Sequence, residues 1–509
     1  MAKSIMIQGT MSNVGKSIIA GGLCRVFVQD GYKVAPFKSQ NMALNSFITE
    51  EGLEMGRAQV MQAEAAKIQP KVSMNPILLK PTSDKGSQVI VNGEVRGVMS
   101  ARDYFAMKRE LIPEVLQAYQ TLDKKYDMIV IEGAGSPAEI NLKAEDIVNM
   151  GLAKLVKAPV LLVGDIDRGG VFAQIVGTIV LLEEEEKRLI KGSIINKFRG
   201  DKEILKPGLT MLEEKSKIPV QGVMPYFYLD IDDEDSLTER FTKKEKKGIL
   251  DIVVIRLPRI SNFTDFNPLE YVEEVSLRYV HHAQEFGNPD MVILPGTKNT
   301  IADLLWMRQN GLEAKILQHA EKGKLVLGVC GGYQMLGEEI KDPHEVEGKG
   351  DVIGMKLLPL TTVFETEKRR TRITGTVKET RGMLGTMQGA FVEGYEIHMG
   401  KTMQMKSVKE GRAFLKIKEN NKEEWLEDGY AKGNIYGSYI HGLFDSKEIT
   451  EGIIKVLLVQ KGYEGKEIQA LDINAYKETQ YDKLAELIRE NLNMEEIYKI
   501  VEEGISYGI

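Results

Sequence analysis

The stretch KLVLGVCGGYQMLG, residues 324–337, joins a short apolar run to a cysteine and two adjacent glycines. The apolar run predicts a buried strand, and the apolar residues after the glycines predict the start of a helix. A sharp turn from strand to helix needs small residues, and it pushes the residue at its tip into an exposed position, as in a nucleophile elbow. We therefore predict that Cys330 is a nucleophile. The alternative, a buried core cysteine, gives no reason for the two glycines.

The composition is that of a globular protein with more than one domain. The chain has 509 residues, of which 43% are hydrophobic and 28% are charged. A net charge of −7 argues against general nucleic-acid binding, which needs a basic face. The two cysteines, Cys24 and Cys330, are too few for a disulfide framework. No signal peptide or membrane-spanning stretch is visible, so we expect a cytoplasmic protein with no nucleic-acid or membrane partner.

A second glycine-bounded turn lies near the N-terminus. A short strand over residues 5–8 runs into GTMSNVGKS, residues 9–17, and a helical pattern follows. Backbone N–H groups of such a phosphate-binding loop (P-loop) hold phosphate oxygens, the lysine neutralises them, and the serine hydroxyl reaches Mg²⁺. Five residues separate the bounding glycines, one more than in the Walker A pattern, and this longer loop resembles that of dethiobiotin synthetases. The predicted nucleotide-binding residues are Thr10, Asn13, Gly15, Lys16 and Ser17, with Ser17 also a metal ligand.

Polar residues stand at the carboxyl ends of other predicted strands in the first half. Lys38 is predicted to clamp a transferring phosphoryl group, because strand carboxyl ends form the ligand edge of an open α/β sheet. Glu132 is the expected second Mg²⁺ ligand. Asn196 is a candidate contact to the nucleotide base. Apolar strands that alternate with helical segments predict a mostly parallel sheet covered by helices on both faces.

A charged, apolar-poor stretch divides the chain, and a fresh apolar strand follows it. We therefore expect four segments: an ATP-dependent synthetase domain over residues 1–230, a linker over 231–248, a second α/β domain over 249–450, and a C-terminal helical segment over 451–509.

The second half pairs the cysteine with a late histidine. His441 ends a predicted strand within residues 434–445, and a Pro-Gly turn lies at 295–296. Together these features predict nucleophilic acyl transfer. His441 would hold Cys330 as a thiolate and later protonate the leaving amine. The N–H groups at Gly296 and Gly331 are the predicted oxyanion hole.

This half resembles the class I glutamine amidotransferases, whose flavodoxin-like domain releases ammonia from glutamine through a cysteine thioester. Such domains usually carry a glutamate two residues after the histidine, and here that position is Leu443. We therefore expect a Cys330–His441 pair in place of a full triad. Asp445 is the nearby carboxylate considered for orienting the histidine.

The two halves together resemble the cobyric acid synthase family. The stretches that carry this resemblance are Gly9–Ser17, Phe37–Ser46, Glu132–Ser136, Gly164–Phe172, Tyr395–Gly400 and Tyr439–Gly442. The resemblance implies ATP- and Mg²⁺-dependent amidation of the b, d, e and g carboxylates of adenosylcobyrinic acid a,c-diamide to adenosylcobyric acid, with glutamine as nitrogen donor. Within these stretches, the candidates for contact with the corrinoid substrate are Gln40, Asn41, Asp165, Asp167, Arg168 and His398. By analogy with dethiobiotin synthetase, Glu54 is a candidate third metal ligand.

Two alternatives remain open at this point. One is cobyrinic acid a,c-diamide synthase, although the Gln40–Met42 stretch speaks against it. The other is a non-catalytic nucleotide-binding module with a degenerate amidotransferase domain, against which the intact Cys330 and His441 argue. The predicted fold class is α/β, with two domains that are each a mostly parallel sheet covered by helices.

Overall fold

The computed structural model describes residues 2–82, 86–231, 248–348, 350–378, 382–405, 411–420, 422–466, 468 and 472–505. Of the expected linker, residues 232–247 lie outside the described residues. The described chain forms two compact units. Unit 1 takes its residues from Met1–Ala43, Met55–Glu234 and Lys477–Ile509, and unit 2 from Leu44–Glu54 and Asp235–Tyr476.

The elements of the first half are, in chain order, β1 (Lys3–Gly9), α1 (Lys16–Gln29), β2 (Val34–Phe37), β3 (Gln40–Met42), β4 (Ser46–Ile48), β5 (Glu54–Gly56), α2 (Arg57–Ala65), β6 (Ile77–Pro81), β7 (Gly86–Val91), β8 (Glu94–Ser100), α3 (Ala101–Met107), α4 (Ile112–Asp123), β9 (Met128–Glu132), α5 (Met150–Val156), β10 (Val160–Asp165), α6 (Val171–Leu181), α7 (Glu184–Lys187), β11 (Ile190–Phe198), α8 (Lys202–Ser216) and β12 (Val220–Pro225).

The elements of the second half are β13 (Leu250–Ile255), α9 (Asn267–Glu270), β14 (Val275–Val280), β15 (Met291–Leu294), α10 (Thr300–Gln309), α11 (Leu312–Glu321), β16 (Leu325–Val329), α12 (Gly331–Met335), β17 (Glu339–Lys341), β18 (Val352–Ile353), β19 (Leu360–Val377), β20 (Phe391–Gln404), β21 (Leu415–Glu419), β22 (Trp425–Asp428), β23 (Tyr430–Lys432), β24 (Ile435–Ser438), β25 (Ile440–His441), α13 (Lys447–Gln460), α14 (Ile473–Asn491) and α15 (Met494–Glu503).

Unit 1 is built on a six-stranded sheet in the order β12-β11-β10-β1-β9-β2, and every pair in it is parallel. Strands β9 and β10 are buried along their whole length, which explains their unbroken apolar sequences. Because parallel strands end at one edge, the P-loop after β1 lies between the ends of β9 and β10. A smaller sheet, β3-β6-β7-β8, which the sequence analysis does not anticipate, adds to this unit.

Unit 2 is built on the sheet β14-β13-β15-β16-β24-β23, which is parallel except for β23. Strand β16 lies inside this sheet and delivers Cys330 to its carboxyl edge. The expected α/β class, with a mostly parallel sheet in each half, is confirmed. A second sheet in the order β18-β17-β19-β20-β25 was not expected, and the long antiparallel ribbon of β19 and β20 dominates it.

The end of the chain is divided between the units, unlike the single helical segment expected over residues 451–509. Helix α13 belongs to unit 2, whereas residues from Lys477 onward belong to unit 1. Their apolar side chains, including Tyr481 and Leu484, join the core that surrounds α1. Arg25 of α1 is fully buried there, and it is ion-paired with Glu478 and Asp482. This matched charge explains how an arginine is accommodated in a helix interface.

Candidate active site

The P-loop of unit 1 has the backbone of a phosphate cradle. Helix α1 begins directly after Gly15, whose φ of 95° suits only glycine. A Cβ at this position would lie 2.2 Å from Asn196 Nδ2, so the amide also fills the space beside the loop. Asn196 Nδ2 donates to the carbonyl of Val14 at 2.7 Å. The structure therefore places Asn196 against the loop backbone.

Other predicted nucleotide ligands belong to this loop. Lys16 Nζ lies 3.1 Å from both the Met11 and Gly135 carbonyls, so its ammonium reaches across the loop. Asn13 adopts a φ of 61°, and the Thr10 hydroxyl donates to Gln174 at 3.2 Å. A curved backbone of this kind can present N–H groups to an anion, so the predicted nucleotide-binding role of these residues stays a prediction that the loop geometry supports.

Glu132 is the centre of a buried polar cluster. Its carboxylate accepts from Ser17 Oγ at 2.8 Å and from Lys38 Nζ at 2.9 Å. The second oxygen accepts from Gln62 at 2.5 Å and from Gln59 at 3.4 Å. The side chain is 1% exposed, so the Lys38 charge and these hydrogen bonds compensate its desolvation.

The pair Ser17 and Glu132 has the chemistry of a magnesium site. A hydroxyl and a carboxylate are hard oxygen ligands, and these two already lie within hydrogen-bond distance. Among the described residues, no group of three or more His, Cys, Asp and Glu side chains could hold a metal. Mg²⁺ does not need such a group, because it keeps several waters and binds substrate phosphates.

Glu54 has a different partner from the one expected. It belongs to unit 2, is fully buried, and pairs with Lys368 Nζ at 2.6 Å. A carboxylate matched by a buried lysine is already electrostatically satisfied. Glu132 is matched in the same way by the buried Lys38, so the ion pair does not distinguish the two carboxylates, and the metal role of Glu54 stays a prediction.

The candidate corrinoid contacts of unit 1 form polar pairs with neighbouring side chains. Asp165 pairs with Lys197 at 3.0 Å and, less closely, with Arg168 at 3.9 Å. Asp167 pairs with Arg199 at 2.8 Å. Gln40 accepts from the Tyr104 hydroxyl at 2.6 Å, and Asn41 donates to Gln59 at 3.1 Å. Through Gln59, Asn41 joins the Glu132 cluster.

In unit 2, Cys330 occupies the strained turn that its sequence predicts. Its φ is 51° and its ψ is −108°, a conformation that costs a non-glycine residue about 1–3 kcal/mol. The Cys330 N–H donates to Ser438 at 2.8 Å, and the Cys330 carbonyl accepts from Gln334 at 3.1 Å. Gly332 allows the close approach, because a Cβ there would lie 2.0 Å from the carbonyl oxygen of Leu294.

The Cys330 side chain is only 7% exposed, although the elbow predicted an exposed tip. Strand β20 covers it, and the thiol donates to the Ile397 carbonyl at 3.6 Å. The covering strand belongs to the antiparallel sheet that the sequence analysis missed. The predicted nucleophile therefore lies in an enclosed position.

His441 is oriented by Asp265, which makes the expected Cys–His pair a triad. His441 Nδ1 lies 2.6 Å from Asp265 Oδ2, and the ring also hydrogen-bonds to Cys330. The second oxygen of Asp265 accepts from the Gly442 N–H at 3.2 Å. Asp445, considered for this role, is exposed, and Leu443 is buried. Sequence reasoning missed Asp265, although the polar stretch Ser261–Asn267 just after β13 was a usable signal.

The charge state of the triad follows from these contacts. Burial favours neutral imidazole, but the Asp265 carboxylate and the Cys330 sulfur outweigh it and raise the pKa of His441 to about 10. The histidine is therefore held as imidazolium at neutral pH.

The predicted oxyanion donors lie beside this pair. A Cβ on Gly296 would lie 3.0 Å from His441 Cε1, so Gly296 contacts the imidazole edge. A Cβ on Gly331 would lie 3.2 Å from the backbone N of Thr297. Gly331 is the first residue of α12, so its N–H has no acceptor inside the helix.

A cavity of about 600 Å³ in unit 2 is lined by His398, Tyr439, Arg369 and Glu396 among others. Burial lowers the pKa of His398 to about 3, so the ring is neutral. Its Nδ1 donates to Gly400 at 2.7 Å, and it stacks on Tyr439 with a centroid distance of 3.7 Å. Its Nε2 is buried and has no hydrogen-bond partner among the described residues. This nitrogen is an acceptor, not a general acid.

Two family models match the chain, one over each half. The "CobQ/CobB/MinD/ParA nucleotide binding domain" matches residues 5–234, and the "CobB/CobQ-like glutamine amidotransferase domain" matches residues 251–449. A cobyric acid synthase of Ruminiclostridium cellulolyticum is 58% identical over 100% of this chain and 99% of its own length. The chain belongs to the cobyric acid synthase family.

Other relatives with the same name are similar to the chain over nearly its whole length. The cobyric acid synthase of Lachnoclostridium phytofermentans is 59% identical over 99% of this chain and 100% of its own, and that of Clostridium acetobutylicum is 53% identical over 98% of each. The solved PurLQS of Thermotoga maritima matches 41% of this chain and 99% of its own at 18% identity and a TM-score of 0.31, too low to carry an argument. As a family member, the chain is a glutamine amidotransferase ligase with a nucleotide-binding domain. No helix in the described ranges is long and apolar enough to cross a membrane.

Proposed function

We propose that the chain uses ATP to amidate the b, d, e and g carboxylates of adenosylcobyrinic acid a,c-diamide, yielding adenosylcobyric acid. The observation that carries the nitrogen-donor half is the triad of Cys330, His441 and Asp265 around a strained elbow. The relatives named cobyric acid synthase support the corrinoid substrate. Two free cysteines support a cytoplasmic location.

The triad performs the glutaminase half. The Cys330 thiolate attacks the side-chain amide carbon of glutamine, and the developing oxyanion is held by N–H groups near Gly296 and Gly331. His441 gives its proton to the departing ammonia, which leaves a thioester. His441 then takes a proton from water, hydroxide adds to the thioester, and glutamate leaves with the thiolate restored. One glutamine and one water thus yield one glutamate and one ammonia.

The P-loop unit performs the activation half. A carboxylate is a poor electrophile, so its oxygen attacks the γ-phosphorus of ATP, which releases ADP and leaves an acyl phosphate. Lys16 and Lys38 offset the charge of the transferring group. Ser17 and Glu132 would hold Mg²⁺, which supplies further neutralisation of the phosphates when bound. Ammonia from the triad then adds to the acyl carbon, and phosphate leaves.

Mass spectrometry tests this assignment directly. Purified protein is incubated with ATP, Mg²⁺, glutamine and either adenosylcobyrinic acid or its a,c-diamide. Each conversion of a carboxylate to an amide lowers the corrinoid mass by about 1 Da. Amidation of the diamide at the four remaining positions supports the proposal. If the protein amidates cobyrinic acid only as far as the diamide, it is the a,c-diamide synthase. If it releases no glutamate with either corrinoid, it is a non-catalytic module.

A further inference from the structure

The segment Leu44–Glu54 comes from the first half of the sequence but belongs to unit 2. The chain leaves unit 1 after Ala43 and returns to it at Met55. Ile48 and Thr49 within the segment are fully buried. These eleven residues therefore belong to unit 2, although the chain on either side of them belongs to unit 1.

The segment is held by a closed ring of hydrogen bonds. The Ser46 N–H donates to Asn262 Oδ1 at 3.0 Å, and the Ser46 carbonyl accepts from the Tyr395 hydroxyl at 3.1 Å. Asn262 Nδ2 in turn donates to the Tyr395 oxygen at 3.1 Å. All three residues are buried, so each bond is made away from competing water.

Tyr395 contacts the histidine proposed to be catalytic, and the backbone of Asn262 contacts Asp265, which orients that histidine. The Tyr395 ring stacks on His441, with centroids 5.4 Å apart and an interplanar angle of 22°. Asn262 starts the turn that carries Asp265, and its carbonyl accepts from the Asp265 N–H at 3.0 Å. The hydrogen-bonded group of Ser46, Asn262 and Tyr395 therefore contacts both the His441 imidazole and the backbone of Asp265.

Two further contacts fix the segment in place. Phe47 packs edge-on against Tyr395 at 5.5 Å, and the guanidinium of Arg372 lies 5.2 Å from the Phe47 ring centroid. At the other end, the buried pair of Glu54 and Lys368 closes the segment against β19. A loop that served only to connect two elements would not need aromatic and cation–π contacts near one end and a buried ion pair at the other.

We propose that Leu44–Glu54 is a positioning element of the glutaminase site, acting on His441 and Asp265 through Asn262 and Tyr395. None of these segment residues reacts with glutamine. They set the angle of the imidazole and the place of the carboxylate, on which thiolate formation at Cys330 depends. This inference rests on the proposed glutaminase function. It adds to that function a supporting segment for the triad, one that lies far from the triad in the sequence.

The test is the pH profile of Cys330 alkylation by iodoacetamide in the full-length protein, with peptide mass spectrometry to localise the label. Cys24 does not interfere, because it is fully buried and burial raises the pKa of its thiol. Tyr395→Phe removes the hydroxyl but keeps the stacked ring. Phe47→Leu alters the segment alone. We expect both to move the midpoint of the profile upward, and a shift of one unit makes alkylation roughly ten-fold slower at pH values well below the wild-type midpoint.

Tyr436→Phe is the matched control, because its buried hydroxyl accepts from the Leu384 N–H at 2.9 Å in the same unit, and Leu384 is not a member of the triad. Its profile should coincide with that of the wild type. If Tyr395→Phe and Phe47→Leu also keep the wild-type profile, and only their melting temperatures fall, the segment is structural and the inference fails. Failure of the proposed function is a separate observation, namely that the wild type releases no glutamate.

Discussion

His441 Nδ1 and Asp265 Oδ2 lie 2.6 Å apart, and 176 residues separate them in the sequence. This contact supplies the carboxylate that amidotransferases of this class usually carry two residues after the histidine, where this chain has Leu443. The orienting group is thus moved to the loop after β13, and its second oxygen binds the Gly442 N–H. The Asp265 carboxylate therefore fixes both the orientation of the imidazole and the position of the turn that follows His441.

Asp265→Asn should lower glutaminase turnover by roughly 10²- to 10⁴-fold, because an amide neither stabilises the imidazolium nor secures its tautomer. Glutamate release with substrate and ATP present measures the effect. Amidation with ammonium salt should persist. Asp445→Asn is the matched control and should retain activity, since Asp445 is exposed. Equal losses in the two variants would contradict the role of Asp265.

The raised pKa of His441 predicts a pH dependence of stability. With a pKa of about 10 folded and about 6.5 unfolded, the folded protein keeps a proton that the unfolded chain loses between these values. The contribution of His441 is therefore fully present below pH 6.5 and declines as pH rises toward 10. Denaturant unfolding across this range should show a smaller decline for His441→Gln than for the wild type. Identical slopes would show that the imidazole is neutral.

Cys330→Ala should abolish the use of glutamine and leave amidation with ammonium salt intact. The reason is that the thiol takes part only in the release of ammonia. Lys16→Ala should lose amidation with either nitrogen source, because the P-loop charge is needed to form the acyl phosphate. Corrinoid mass spectra with each nitrogen source separate these outcomes. A Cys330→Ala protein that is inactive with ammonium would overturn this division of labour.

Glu132→Gln should weaken the dependence of ATP binding on Mg²⁺. In the wild type, we expect ATP affinity to rise when Mg²⁺ replaces EDTA, and in the variant the difference should shrink at least ten-fold, about 1.4 kcal/mol. Isothermal titration with and without Mg²⁺ measures it. The variant also leaves the buried Lys38 without its anion, so its melting temperature must be recorded. The alkylation profile of Cys330 should be unchanged.

Two glycine substitutions should have opposite effects on stability. Gly332→Ala places a methyl group against the Leu294 carbonyl and should destabilise the fold by about 1–3 kcal/mol, with loss of glutaminase. Gly177→Ala in α6 meets no atom within 4 Å and should stabilise it by about 0.5–1 kcal/mol. Urea unfolding measures both. A neutral Gly332→Ala would mean that the elbow relaxes without cost.

The candidate site residues predicted from the sequence are those whose signals are local. Glu132, Cys330 and His441 each stand at the end of an apolar run beside glycines, and Lys16 and Ser17 follow Gly15 at the start of one. A strand that ends in a turn can be read from about ten neighbouring residues, and parallel strands bring such ends to one edge. The α/β class of both halves follows from the same alternation, and the structure confirms it.

The features that the sequence did not predict share one physical cause, because each depends on contact between segments that are distant in the sequence. The polar stretch Ser261–Asn267 marks Asp265 as a candidate, but it does not say that His441 is the partner, and nothing near Glu54 indicates Lys368. The apolar stripe of α14 does not say which core it will join. The antiparallel ribbon that buries Cys330 is rich in charged residues, so its strands lack the unbroken apolar pattern of the parallel sheets.

The sequence by itself determined the two α/β sheets, the P-loop and the cysteine elbow, because short-range apolar periodicity and glycine geometry specify them. Only the tertiary structure decided that Asp265 completes the triad, that β20 covers the nucleophile, and that Leu44–Glu54 lies against the histidine's support. Those arrangements depend on burying complementary surfaces from remote parts of the chain, and no local pattern encodes which surfaces will meet.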